Sequence, residues 1–177
     1  TPDDILGGVK PQGRVLIYDD DHYYMGGVLA EQCRQDGLDV HLVTPDSKVS
    51  SWTENTLEQE KIQSRLLSLG VSLTTSHELL RISAGSAQIA NVYHREHQQE
   101  IQFDTIILVT SRHPGDELYQ SLLAHQDRFK TLLAIGDCNA PGTIAAAVYD
   151  GHLAARNLES EVDYYEPLYR REMPELG

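Results

Sequence analysis

Residues 13–43 read Gly13-Arg-Val-Leu-Ile-Tyr18-Asp19-Asp20-Asp21-His22-Tyr-Tyr-Met-Gly26-Gly-Val-Leu-Ala-Glu-Gln-Cys33-Arg-Gln-Asp36-Gly37-Leu-Asp-Val-His-Leu-Val43, and their pattern decides the fold. Arg14 to Tyr18 is a short apolar run of β-formers, as a strand buried on both faces requires. Gly26 to Gln35 has helical spacing, with Val28, Leu29 and Cys33 able to share one face. Asp36-Gly37 ends that helix, because glycine takes the left-handed conformation that follows a helix C-terminus. Leu38 to Val43 is a second strand. Strand, turn, helix, strand is the opening unit of a Rossmann-like fold.

The turn is unsuited to a dinucleotide. A G-x-G-x-x-G turn lets bare backbone approach a pyrophosphate. Here the strand runs into Asp19, Asp20 and Asp21, and the first glycine is Gly26, at the helix start. Two like charges about 4 Å apart repel by roughly 4 kcal/mol at an effective dielectric of about 20. The helix dipole attracts an anion by only about 1 kcal/mol. Either the three acids repel a phosphate, or they turn away and cap the helix. Asp19, Asp21 and His22 are metal-type donors, but side chains of a single turn seldom close a coordination shell, so no metal site is assigned. Trp52 with Tyr23 and Tyr24 offers either a stacking surface for an adenine or packing between turn and loop. His94 and His97 read as exposed polar residues.

The chain of 177 residues has a net charge of −13, which excludes nucleic-acid and anionic-membrane partners. It has no apolar run of membrane-spanning length. It opens on Thr1-Pro2 rather than methionine, as expected of a piece of a longer polypeptide. Cys33 and Cys138 are its two cysteines, too few for a disulfide framework or an iron–sulfur site, as expected of a cytoplasmic protein. Cys33 reads as a small core hydrophobe.

Along the chain, Thr1 to Gln12 is a linker punctuated by Pro2, Gly7, Gly8 and Pro11. Thr44-Pro45-Asp46-Ser47 is a turn, and its lack of arginine disfavours a 2′-phosphate. Asn55 to Leu69 has helical spacing through Leu57, Ile62, Leu66 and Leu69, and Gly70 ends it. Val71 to Thr74 is a third strand. Glu78–Ser83, Ala87–His94 and Glu100–Phe103 alternate like strands, with turns at 83–86 and 96–99, which predicts an antiparallel meander. Thr105 to Thr110 is a central strand, and Asp116 to His125 a short helix.

Leu132 to Ile135 reads as a further strand ended by Gly136-Asp137. Cys138 to Gly142 is a loop, and Thr143 to Leu158 an alanine-rich helix with an apolar face of Ile144, Ala145, Val148, His152 and Ala155. An aspartate at a strand end facing a helix N-terminus can bind a ribose or ribityl hydroxyl while the helix faces a phosphate; Gly136-Asp137 can equally turn the chain and cap the helix. Val162 to Gly177 reads as an extended tail. The fold class is therefore α/β: a Rossmann-like parallel sheet of the pyridine-nucleotide-reductase type with an antiparallel β-meander, plus a C-terminal strand–helix unit. Residues 1–126 form the NAD(P)-binding-like small domain, and residues 127–177 the last part of a neighbouring FAD- or ADP-binding-like domain.

The order of parts resembles the C-terminal half of the trimethylamine dehydrogenase, histamine dehydrogenase and 2,4-dienoyl-CoA reductase group of NADH:flavin oxidoreductases. Val15-Leu-Ile-Tyr-Asp-Asp-Asp-His-Tyr-Tyr-Met25 is similar to the glycine-poor first turn of the amine dehydrogenases. Phe103-Asp-Thr-Ile-Ile-Leu-Val-Thr-Ser-Arg-His113 is similar to their last small-domain strand. Ile135-Gly-Asp-Cys-Asn-Ala-Pro141 and Asp150-Gly-His152 are similar to the return into the flavin-nucleotide-like domain. The resemblance implies a full-length enzyme with an FMN-holding β/α barrel, a 4Fe-4S cluster and two dinucleotide-fold domains. It implies ADP or FAD beside Gly136, Asp137, Ala140 and Pro141, and electron exit to an electron-transfer flavoprotein. No catalytic residue and no cofactor is expected in the fragment itself. Its expected partners are the rest of the parent flavoenzyme and another copy of the chain. Two functions from different classes follow: a non-catalytic scaffold module, favoured by the acidic turn, or a working NAD(P)H-binding domain of a reductase.

Overall fold

The expected alternation of strand and helix runs from Arg14 to Thr74, and the expected meander follows it. The computed structural model describes residues 1–158, in two compact units: Thr1–Ser111, and a second beginning at Arg112. In the first, helix α1 spans Pro2–Leu6, strand β1 Arg14–Asp19, helix α2 Met25–Gln35 and strand β2 Asp39–Val43. Helix α3, Gln59–Ser68, leads into the short strand β3, Ser72–Thr74. Strands β4 (His77–Ser83), β5 (Ser86–Asn91) and β6 (His94–Gln102) follow, and β7 (Thr105–Val109) returns. The parallel sheet has the order β3-β2-β1-β7, with Ile17 opposite Leu42 on one side and Ile107 on the other. Strands β4, β5 and β6 pair in that order as an antiparallel sheet.

Side chains alternate between the faces of a strand, and β1 uses both. Val15 and Ile17 enter a core shared with Leu29, Ala30 and Cys33 of α2, Leu42 of β2 and Leu66 of α3. Leu16 and Tyr18 enter a second core with Val43, Ala87, Ile89 and Phe103, so the meander covers the opposite face of the sheet. Arg14 starts this strand in a bidentate ion pair with Asp104, and its N–H also donates to Asp104 Oδ2 at 2.8 Å. Two positions before Arg14 and one after Asp104, the Gln12 N–H donates to Thr105 Oγ1 at 3.0 Å.

Several expectations are corrected. The first residues are not all linker: Pro2–Leu6 is helical, because Pro2 sits in the first turn and Thr1 and Asp4 close a capping box. Val28 is half exposed, and Gly26, Gly27, Leu29, Ala30 and Cys33 form the buried side of α2. Leu57 lies outside α3 at φ +60° and is 85% exposed; a short 3-10 turn, Ser51–Glu54, precedes it. The second meander turn is at Val92-Tyr93, where Asn91 Oδ1 accepts the Tyr93 N–H at 3.0 Å. The run 96–99, read as a turn, is the middle of β6. That strand is solvated nearly throughout, so neither face needs to be apolar.

In the second unit, α4 spans Glu117–Leu123 and α5 Ile144–Asn157. Helix α4 falls in this compact unit. Leu132–Ile135 joins no ladder among the described residues. Ile135 is extended (φ −137°, ψ 158°), yet no described strand of this unit offers its backbone a partner. Ile144 and Val148 of the expected apolar face of α5 are 85% and 54% exposed, while Ala154 is buried. The expected tail 162–177 lies outside the described residues.

Leu66→Ala, which empties space between α2, α3 and the sheet, is expected to destabilise the chain by about 2–5 kcal/mol. Leu57→Ala should change stability by less than about 0.5 kcal/mol. Urea denaturation of both variants checks the pair, and equal effects would contradict the core described here.

Candidate functional site

The C-terminal end of β1 is where a nucleotide fold presents its phosphate turn. Asp19 is the next residue after Val15 and Ile17 on the helix-facing side of the strand, so its side chain lies beneath α2. It is fully buried. Its Oδ1 accepts the N–H groups of Asp21 at 3.2 Å and His22 at 3.3 Å. Its Oδ2 has no hydrogen-bond partner among the described residues. A Cβ placed on Gly26 would stand 2.3 Å from that oxygen. The usual turn puts bare backbone at the strand end; here a carboxyl fills that room, and the bare residue has moved onto the helix. The adjacent Gly27 serves the same close packing against α3, since a Cβ there would meet Ile62 at 3.0 Å.

Asp20 and Asp21 are exposed. Asp20 Oδ1 lies 3.3 Å from His22 Nε2. The three acids thus divide between two roles: Asp19 organises the turn from inside, and its neighbours face solvent. Burial pushes the Asp19 carboxyl up to about 6, against the pull of the two backbone N–H groups and of His22. Asp104, by contrast, is exposed, and its hydrogen bonds from Arg14 hold it down at about 2.

The end of β2 closes the other side of the turn. The Ser51 hydroxyl donates to Asp46 Oδ2, and the Ser47 N–H donates to Asp46 Oδ1 at 2.7 Å. The Ser51 hydrogen bond is the main reason that Asp46 sits below the usual carboxylate range. The Trp52 N–H donates to the His22 carbonyl at 2.9 Å, but the Trp52 side of the loop stays 63% exposed. Tyr23 and Tyr24 pack edge-on with each other, ring centres 4.9 Å apart. Asp46, Ser47, Lys48, Ser51, Trp52, Glu54 and Asn55 line a shallow depression of about 330 Å³.

The residues expected at a nucleotide from the sequence, Gly136, Asp137, Ala140 and Pro141, share one loop of the second unit. Gly136 takes φ +59°, and its N–H donates to Asp150 Oδ2 at 3.2 Å. The N–H groups of Asn139 and Ala140 both donate to the Gly136 carbonyl at 2.9 Å. Asp137 is exposed, and its Oδ1 accepts the Gly142 N–H at 3.2 Å, which fixes the carboxylate over the loop. Thr143 caps α5 by accepting the Ala146 N–H at 3.4 Å. The sequence showed this loop as a motif. It did not show the Asp19–Gly26 packing, although the alternation of β1 puts residue 19 on the side of residues 15 and 17.

A four-stranded parallel sheet whose third and last strands are separated by an antiparallel meander is the architecture of a nucleotide-fold domain. Residues 1–106 match the OYE-like second alpha/beta domain, and the chain belongs to that family. It is 30% identical, along its whole length, to 27% of the dimethylamine dehydrogenase of Hyphomicrobium sp. (strain x). Among solved structures, histamine dehydrogenase from Rhizobium sp. 4-9 aligns with 99% of this chain at 40% identity and a TM-score of 0.85, over 28% of its own length. The 6-hydroxypseudooxynicotine amine oxidase of Pseudomonas geniculata N1 aligns with 86% of the chain at 35% identity and a TM-score of 0.78, over 23% of its length. The chain therefore spans about a quarter of each of these relatives. It is a second α/β domain of the OYE-like flavin oxidoreductase type, similar to those of amine dehydrogenases.

Gly26→Ala is expected to destabilise by about 1–3 kcal/mol through overpacking on Asp19. Adding Asp19→Gly should recover much of that loss, with a coupling of about 0.5–3 kcal/mol in the double-mutant cycle; additive effects would refute the packing. The pH dependence has a definite sign. The Asp19 carboxyl holds its proton to about 6 when folded but only to its ordinary 3.8 when unfolded. Stability should fall as pH rises from about 4 to 6, and Asp19→Asn should remove that slope. Asp104, lowered to about 2, acts oppositely: its contribution is present above 3.8 and is lost as pH falls toward 2. Denaturation between pH 2 and 7 separates the two windows.

Proposed function

We propose that this chain is a non-catalytic nucleotide-fold scaffold within an amine-dehydrogenase-like flavin oxidoreductase, and that its first turn takes up no NAD(P)H. The observation that carries this reading is the buried carboxyl of Asp19, packed where a dinucleotide turn needs bare backbone. A pyrophosphate there meets a side chain before it meets an N–H group. The exposed Asp20 and Asp21 add repulsion of several kcal/mol for each close approach. The likeness to dimethylamine dehydrogenase and histamine dehydrogenase supports the amine-oxidising class for the parent enzyme.

On this reading FMN and the 4Fe-4S cluster belong to other parts of the parent. Cys33 is sealed in the core between α2 and the sheet and is no cluster ligand. ADP or FAD fits the second unit better than the first turn. The left-handed Gly136 and the fixed, exposed carboxylate of Asp137 suit a sugar hydroxyl, and the N-terminus of α5 suits a phosphate. Ala140 and Pro141 flank that place. ADP bound there is structural, whereas FAD supplies an electron carrier. The chain's own residues only bind and orient, and other parts of the parent enzyme complete the site. The parent is a cytoplasmic enzyme that passes electrons to an electron-transfer flavoprotein.

Calorimetric titration of the chain with NADH and NADPH near neutral pH is expected to give dissociation constants weaker than about 1 mM. Micromolar binding of either would overturn the scaffold reading in favour of a working reductase domain.

A further inference from the structure

We propose that Asp19, His22 and Asp46 form a proton-operated latch that ties the β1–α2 turn to the segment Ser50–Glu54, closed when the His22 ring is protonated. It is independent of whether the chain binds a nucleotide.

His22 is held from three directions. Its N–H donates to Asp19 Oδ1 at 3.3 Å, and its carbonyl accepts the Trp52 N–H at 2.9 Å. Its ring stands between two carboxylates from different elements. Nε2 lies 3.3 Å from Asp20 Oδ1 in the turn, and Nδ1 lies 3.9 Å from Asp46 Oδ2 across the loop. The second distance is within ion-pair range but too long for a hydrogen bond, and Nδ1 is buried with no hydrogen-bond partner among the described residues. At Nδ1 a neutral ring makes no hydrogen bond, whereas an imidazolium attracts both acids at once.

The latch also holds unfavourable backbone. His22 takes φ +61° and Ser50 φ +52°, a region that non-glycine residues rarely occupy. Such positions persist only where the surroundings enforce them. Ser50 is buried, and its Oγ has no hydrogen-bond partner among the described residues, so it adds nothing to its own retention. The Trp52–His22 hydrogen bond ties this segment to the turn directly, and the His22–Asp46 pair ties it through Asp46, which accepts the Ser51 hydroxyl.

The surrounding charges all push one way. Asp19 and Asp20 lie beside His22 in its own turn, Asp46 reaches the ring from the loop, and Asp21 is exposed in the same turn. Lys48 on the same loop is engaged by Glu54, and the first turn of α2 brings no acidic residue. When the ring gives up its proton, the carboxyls of Asp19, Asp20 and Asp46 remain beside it. Burial pushes the Asp19 carboxyl up to about 6, so its charge adds to theirs as pH rises. Mild acid closes the latch, and alkali releases the loop from the turn.

Trp52 is the only tryptophan in the sequence and its backbone is part of the latch, so its fluorescence reports the latch directly. Emission of the chain is expected to change with a single midpoint as the pH is raised from mild acid to mild alkali, with far-ultraviolet circular dichroism constant. His22→Asn keeps a side chain that tolerates the left-handed region and should flatten the curve. Asp46→Asn should shift the midpoint to lower pH. A flat wild-type curve, or an unaltered curve in folded His22→Asn, overturns the latch. Should His22→Asn not fold, NMR of the wild-type chain decides: the His22 ring and Trp52 indole resonances must share one midpoint, and two separate midpoints refute the coupling.

Discussion

A strand with no solvent side must satisfy two different layers at once, and in this domain that strand is β1. Its odd-numbered residues belong to the helices and its even-numbered residues to the meander. A slip of one residue would exchange Val15 and Ile17 with Leu16 and Tyr18 and place every side chain against the wrong layer. The register with β2 and β7 is therefore fixed by packing on both faces. The same alternation drives Asp19 under α2, so the chemistry of the turn follows from the register of the strand. The acid is buried because the strand brings it there.

Burying that carboxyl shapes everything around it. One oxygen is satisfied by the turn's own N–H groups, which draws Asp21 and His22 into a tight bend. The other oxygen needs room, and Gly26 provides it. The result is a turn that is complete without a ligand, whereas a phosphate-binding turn is completed by its ligand. The left-handed His22 then brings its carbonyl to Trp52 and its ring to Asp46, which carries the influence of Asp19 into the loop after β2.

Much of this was legible in the sequence. The apolar run 14–18, the helical spacing after Gly26 and the Asp36-Gly37 stop have local physical causes, and they gave the opening unit. The meander was legible from alternation in β4 and β5. The pattern failed at β6, because a strand solvated nearly throughout loses the apolar half of its signature. It failed at Thr1–Leu6, where proline and glycine read as breakers although Thr1 and Asp4 form a cap. Leu132–Ile135 has a strand's composition, but a strand also requires a neighbour, which composition does not supply. The loop Gly136–Pro141 was visible as a motif, while the Gly142 bond that orients Asp137 depends on the folded loop. A run of three aspartates does not itself mark which one is buried; only the continued alternation of β1 singles out Asp19.

The clasp at the base of the sheet has a topological consequence. Gln12 with Thr105, and Arg14 with Asp104, tie the start of β1 to the start of β7. Some ninety residues separate Arg14 from Asp104, and they hold α2, α3, β2, β3 and the meander, while β7 itself adds Ile107 and Val109 to the core. Whatever lies between those two strands leaves and returns at adjoining positions, so a change in its length is absorbed without disturbing the pairing of β1 with β7.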